Sequence, residues 1–207
     1  MKKSLIALAL LSGMVAAHAH GLGVNATAQV GIDNLHVGPV SAVVDEANLS
    51  ASKSFGAYSL AAGLSVGSGQ GVQEHQLSLE GSYSIPVSAI KGLTVSPLWA
   101  LQYQAVNYGG STGYAGRYAT NRWLLGAKAG MPIGSTGLSA TAELAAGRSF
   151  APTVGTGGVY ELASLGVSAH VAAGTVSLGW EGSRGNLGGT GMSLFQNRVA
   201  LGYTHAF

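Results

Sequence analysis

The sequence of 207 residues has no cysteine and little charge: 10 Lys or Arg and 8 Asp or Glu, or 9% of the chain. Without cysteine there is no disulfide framework and no thiolate metal site. A soluble protein carries about a quarter of its residues as charges, so a charge-studded soluble surface is out of reach. Nucleic-acid binding needs a basic face, and none is available. Proline is scarce, with 5 residues, and after the first twenty residues no apolar run approaches the roughly 20 that a membrane helix requires. Mean hydropathy is nevertheless positive, at +0.32, which excludes a disordered polar chain. What the chain has in excess is glycine, 33 residues.

The amino terminus reads as an address. Met1-Lys2-Lys3 is a short basic region, Ser4 to Leu11 is apolar, and Ala17-His18-Ala19 places small residues where a signal peptidase cuts. Residues 1–19 are therefore expected to be a secretory signal peptide and 20–207 a single domain. Removing Lys2 and Lys3 leaves 8 basic and 8 acidic residues, a formally neutral mature chain.

From residue 22 onward apolar residues recur at every second position. Leu22, Val24, Ala26, Ala28, Val30 and Ile32 alternate with Asn25, Thr27 and Gln29, and Tyr58, Leu60, Ala62, Leu64 and Val66 do the same. The rhythm continues to Val199, Leu201, Tyr203 and Phe207. Period-two alternation means strands with one greasy and one polar face. Glycine-rich clusters at 67–71, 107–116, 132–137, 148–158, 172–174 and 182–191, with 86–92 opened by Pro86, separate the segments and alternate long with short. Outer-membrane barrels show that asymmetry. A soluble sandwich also alternates, but here it would have too few charges to stay dissolved. In lipid only helices and closed barrels satisfy every backbone group. The expected fold is all-β: a closed, antiparallel, up-and-down transmembrane β-barrel.

Residues 56–207 supply eight strands and 22–32 a ninth. Ten are expected, with 35–44 as the tenth between turns at Asp33-Asn34 and Asp45–Asn48; eight is the alternative if 20–47 lies outside the wall. Tyr58, Tyr83, Tyr103, Tyr118, Trp180, Tyr203 and Phe207 are candidates for interfacial aromatic girdles. The alternation sends Glu80, Glu143 and Glu181 into the lumen with Arg122, Lys128 and Arg198, amid Ser, Thr, Gln, Asn, Gly and Ala. Three acids balance three bases, so a salt-bridge network that plugs the barrel is expected, since buried charges must be paired. A small pore lined by those charges is the other reading.

The chain resembles the small outer-membrane barrels of Gram-negative bacteria, the class of the OmpA transmembrane domain, OmpX and the opacity-like proteins. The likeness rests on the leader, the alternating strands, and the terminal Val199-x-Leu201-x-Tyr203-x-His205-x-Phe207. A further resemblance, to YfaZ-like barrels, rests on hairpin layout and glycine-rich strands. The resemblance implies location in the outer membrane, contact with its lipid and lipopolysaccharide, a monomer, and a C-terminal signal (Tyr203, Phe207) for the barrel-assembly machinery. His205 stands where that signal usually has an apolar residue.

No catalytic motif survives inspection. Gly63-Leu64-Ser65-Val66-Gly67 has the G-x-S-x-G form, but a nucleophile elbow needs a following helix. His20, His36, His75, His170 and His205 show no metal-ligand spacing. His170 and Ser168 share the luminal face, with Glu143 on the strand next but one, in the reverse order to that of lipid A deacylases. The expected function is a non-catalytic barrel with a structural or surface-interaction role and no cofactor, metal or nucleic acid; a small channel is the alternative, and a lipid-modifying enzyme the third reading.

Overall fold

A computed structural model describes residues 23–109, 116–151, 156–171, 174–187 and 192–207. The proposed signal peptide lies outside the described residues. All regular structure among them is β: β1 (Val24–Val37), β2 (Val40–Phe55), β3 (Tyr58–Gly69), β4 (Val72–Tyr83), β5 (Ile85–Pro86), β6 (Thr94–Tyr108), β7 (Gly116–Pro132), β8 (Leu138–Ala151), β9 (Thr156–Val171), β10 (Gly174–Leu187) and β11 (Met192–Ala206). β5 is a two-residue stub beside β6. The other ten form the wall.

Each strand pairs antiparallel with its sequence neighbour, β4 with β6 across the stub, and β1 with β11 closes the cylinder. The closing register runs from Asn25↔Ala206 to Val37↔Leu194, and Thr27 and Thr204 hydroxyls meet across it at 2.8 Å. The fold is a closed antiparallel ten-stranded barrel. The start of β1, the end of β11 and the turns at 56–57, 84–93 and 133–137 lie at one end, here the near end. The connections at 38–39 and 70–71 lie at the far end, as do the ends of β6, β8 and β10.

Ten strands are present, but the second is not where the sequence reading put it. Residues 35–44 are not a strand of their own. They are the tip of a hairpin whose turn is Gly38-Pro39, Gly38 taking the left-handed φ of +56°. Proline has no ladder N–H to give, so it falls at the turn and not in the wall. Asp33-Asn34 and Asp45–Asn48 are within strands, with Asp33 opposite Val44 and Glu46 opposite Gly31. What looked like turn chemistry is alternation with a polar inside: Asp33 and Glu46 are buried and Ile32 and Asp45 are exposed. The far-end glycine clusters are also shorter as loops than their composition suggests, because 148–151, 156–158 and 182–187 continue as strand. Residues 110–115, 152–155 and 188–191 lie outside the described residues.

The outer surface is greasy. Leu144 is 69% exposed, Leu125 61%, Leu165 58% and Leu178 56%, and Trp123, Val199 and Leu201 stand out beside them. Hydrophobic residues of this size, so exposed all round the wall, are what lipid contact explains. Tyr58 and Tyr83 touch at 4.7 Å between ring centroids at the near end, and Tyr203 and Phe207 flank His205 there. Tyr118 departs from the expected girdle: it shares the parity of Arg122 on β7 and is buried inside the barrel.

Strand packing is close at one glycine in particular. A Cβ on Gly147 would lie 1.9 Å from the Trp123 carbonyl oxygen of β7, so the two backbones would have to part. Gly147→Ala should therefore destabilise the folded barrel by about 1–3 kcal/mol, read as a lower urea midpoint in detergent. Gly109→Ala, where a Cβ meets open space, should leave the midpoint in place.

Candidate functional site

The lumen is the candidate site, and the pleat decides what enters it. Successive side chains point to opposite faces, so one parity in each strand fills the interior. All six charges singled out from the sequence point inward. Lys128 on β7 reaches Glu80 on β4 at 2.5 Å, past the intervening β6. Arg198 on β11 contacts Glu181 on β10 at 2.6 Å through one guanidinium nitrogen. Glu143 is the register partner of Lys128 on β8. Among the described residues Arg122 meets no carboxylate: it donates to Gln104 Oε1 on β6 and, at 3.1 Å, to the Tyr160 hydroxyl on β9, with its guanidinium 4.1 Å from that ring's centroid.

Three further carboxylates join these six. Asp33, Glu46 and Glu74 are buried and face inward. The second nitrogen of Arg198 bridges to Glu46 at 2.8 Å, and Ser65 donates to the same oxygen. Gln196 donates to Asp33 at 2.9 Å and to Glu74 at 3.0 Å, while Gln104 donates to Glu74 from the other side. The result is a continuous polar chain, Asp33–Gln196–Glu74–Gln104–Arg122–Tyr160, crossing the lumen from β1 and β11 to β9. Asp33 and Glu46 went unnoticed because they sit in segments read as turns. Glu74 shares the inward parity of Glu80 on β4. The inward pairing of Gln104 and Gln196 with these acids has no signal in a single sequence.

The expected charge balance therefore fails. Among the described residues six acids face inward (Asp33, Glu46, Glu74, Glu80, Glu143, Glu181) against three bases (Arg122, Lys128, Arg198), an excess of three acidic side chains. One oxygen each of Asp33, Glu46 and Glu74 is buried without a hydrogen bond. A lumen of small polar residues is also only half the picture. Towards the far end Leu35, Val37, Val40, Val44, Val72, Val106, Tyr118, Tyr160 and Leu194 meet inside the cylinder as a buried apolar cluster. Below it lies a cavity of about 200 Å³ bounded by Asn48, Ser50, Gln76, Glu80, Gln102 and Glu143. A second, of about 350 Å³, is lined by Gln29, Thr141, Ser164, Ser168, Thr175 and Thr204 toward the near end.

The tempting motifs resolve differently. Ser65 is buried in the lumen and spends its hydroxyl on Glu46, with strand on both sides of it. Ser168 and His170 face inward on β9, and His170 Nδ1 lies 3.4 Å from Thr175 Oγ1 rather than on a serine. Among the described residues no three His, Asp or Glu side chains are grouped as a metal site needs.

No family model matches the chain, and no curated protein matches it. Solved structures do. The chain is similar to the beta domain of the Bordetella autotransporter Brka, at 13% identity and a TM-score of 0.57, over 89% of this chain and 100% of that one. It is similar to an outer-membrane channel from Pseudomonas putida, at 10% identity and a TM-score of 0.51, over 89% and 95%. A bacterial polysaccharide outer-membrane secretin follows at 14% identity and 0.50, over 87% and 69%. The fold is that of outer-membrane β-barrels. At such identities the likeness extends no further.

Arg198 holds two luminal carboxylates at once, Glu46 buried and Glu181 half-buried, whereas Glu143 belongs to a surplus of acids. Arg198→Gln should lower stability by about 3–5 kcal/mol by stranding Glu46 and Glu181. Glu143→Gln should change it little or raise it. Urea unfolding of both variants in detergent checks the contrast.

Proposed function

We propose that the protein is a non-catalytic integral barrel of the outer membrane with a structural or surface-interaction role, its far end outside the cell. The observation that carries this reading is the filled lumen. The far-end apolar cluster and the chain from Asp33 to Tyr160 occupy the space through which a solute would pass. Interior-filled barrels of this size are packed by side chains rather than open. The greasy outer wall supports the membrane setting, and the longer joins between β6 and β11 fall at the end assigned to the outside. The leader sequence supports export through the periplasm. Tyr203, exposed on the last strand, and Phe207, just past its end, are the residues offered to the assembly machinery. Ten strands set the chain apart from the eight-stranded OmpA and OmpX type.

A channel is the second reading, favoured by one specific observation: an interior with three more acids than bases and a polar cavity between near end and plug. Such a pore would prefer cations. The Pseudomonas structure is named as a channel, which lends this reading its comparison. For an enzymatic role, no nucleophile, base and acid are assembled among the described residues.

Two measurements test the proposal. Unboiled protein should migrate apart from boiled protein on a detergent gel, and a single boiling-independent band with helical circular dichroism would sink the barrel. In planar bilayers the wild type should show no discrete conductance steps, while Arg122→Ala combined with Tyr160→Ala should produce them by removing the cross-lumen strut. Regular cation-selective steps from the wild type would transfer the conclusion to the channel.

A further inference from the structure

The outer wall over β7–β11 carries a groove of about 580 Å³. Its floor is made of small outward residues, Ala146, Ala163 and Gly182, and its banks of Leu125, Leu144, Trp180 and Phe195. Register produces the hollow: Ala146 stands between Leu125 and Glu161, and Ala163 between Leu144 and Gly182. The hollow is shaped for a hydrocarbon chain lying along the wall.

The far-end rim of this groove is charged. Arg184 and Glu161 pair at 2.5 Å, both exposed, and Trp180 donates to Asn197 at 2.8 Å. Arg148 lies two residues beyond Ala146 on β8, exposed, and makes no ion pair among the described residues. Arg117 also points outward, farther along β7. Outward charge on this flank is thus Arg117, Arg148 and Arg184 against Glu161, whereas the β1–β4 flank has Asp45 alone at that end. Arginine is the side chain suited to phosphate, through its planar fork of donors. By strand spacing and rise, Arg148 and Arg184 are about 12 Å apart at the backbone, a separation matching two anionic groups on one headgroup better than one.

We infer that this flank is a binding site for one bis-phosphorylated, acylated glycolipid of the outer leaflet, a lipid A. One acyl chain lies in the groove, and the phosphates are held by Arg148 and Arg184. The inference rests on the reading of the wall as lipid-wetted, with the far end outermost. Glu161 competes with phosphate for Arg184 and so sets the affinity.

The test is native mass spectrometry of the folded full chain in detergent, titrated with bis-phosphorylated lipid A, with phosphatidylglycerol and monophosphorylated lipid A as rivals. The wild type should retain one bis-phosphorylated lipid A in preference to both. Arg148→Gln with Arg184→Gln, and separately Ala163→Phe to fill the floor, should each weaken retention roughly tenfold. Glu161→Gln should tighten it, a gain that loss of structure could not mimic. Equal retention of phosphatidylglycerol, or wild-type retention by the arginine and Ala163 variants, overturns the site while leaving the barrel intact. A chain that shows no heat-modifiable β form overturns the barrel reading, and this site with it.

Discussion

The seam between β1 and β11 is the constraint on which everything else depends. A wall in hydrocarbon has no water to satisfy a free strand edge, and each unpaired amide or carbonyl there costs several kcal/mol. Pairing Asn25 through Val37 with Ala206 through Leu194 removes both edges at once. Closure also fixes the parity of every strand. A slip of one residue would turn the leucines inward and the carboxylates toward lipid, so the contents of the lumen follow from the seam rather than from local preference.

Inside, two kinds of packing share the cylinder. Toward the far end, valine, leucine and tyrosine fill it as they would a soluble core, with water excluded from both faces of the wall. At mid-height, long polar side chains span the lumen, and Arg122, Arg198, Gln104 and Gln196 each tie together strands that do not pair. Such bridges are expensive to leave half made, which favours one arrangement of the wall over sheared alternatives.

Much of this was legible in the residues. Alternation with a greasy outer parity showed the barrel, and the same parity sent Glu80, Glu143, Glu181, Arg122, Lys128 and Arg198 inward. The failures came where two physical signals share one residue type. Asp33, Asn34 and Asp45 to Asn48 are turn formers and also good luminal residues, and only the position of Pro39 and the left-handed Gly38 separates the readings. Tyr118 is a girdle residue by chemistry and a luminal one by parity, and parity wins because the backbone cannot choose residue by residue. Which glutamine would meet which carboxylate was beyond reach, since it depends on the stagger of strands far apart in the chain.

The far-end crown is built unevenly. Gly38-Pro39 and Gln70-Gly71 turn the chain in two residues each, Gln70 taking a positive φ and accepting the Val43 N–H on its side-chain oxygen, whereas β6 to β11 are joined there by longer stretches. On the β1–β4 flank the wall ends directly in its own hairpin turns. What β1 to β4 present at that end is therefore the tips of the strands themselves, with the parity of the wall carried to its edge.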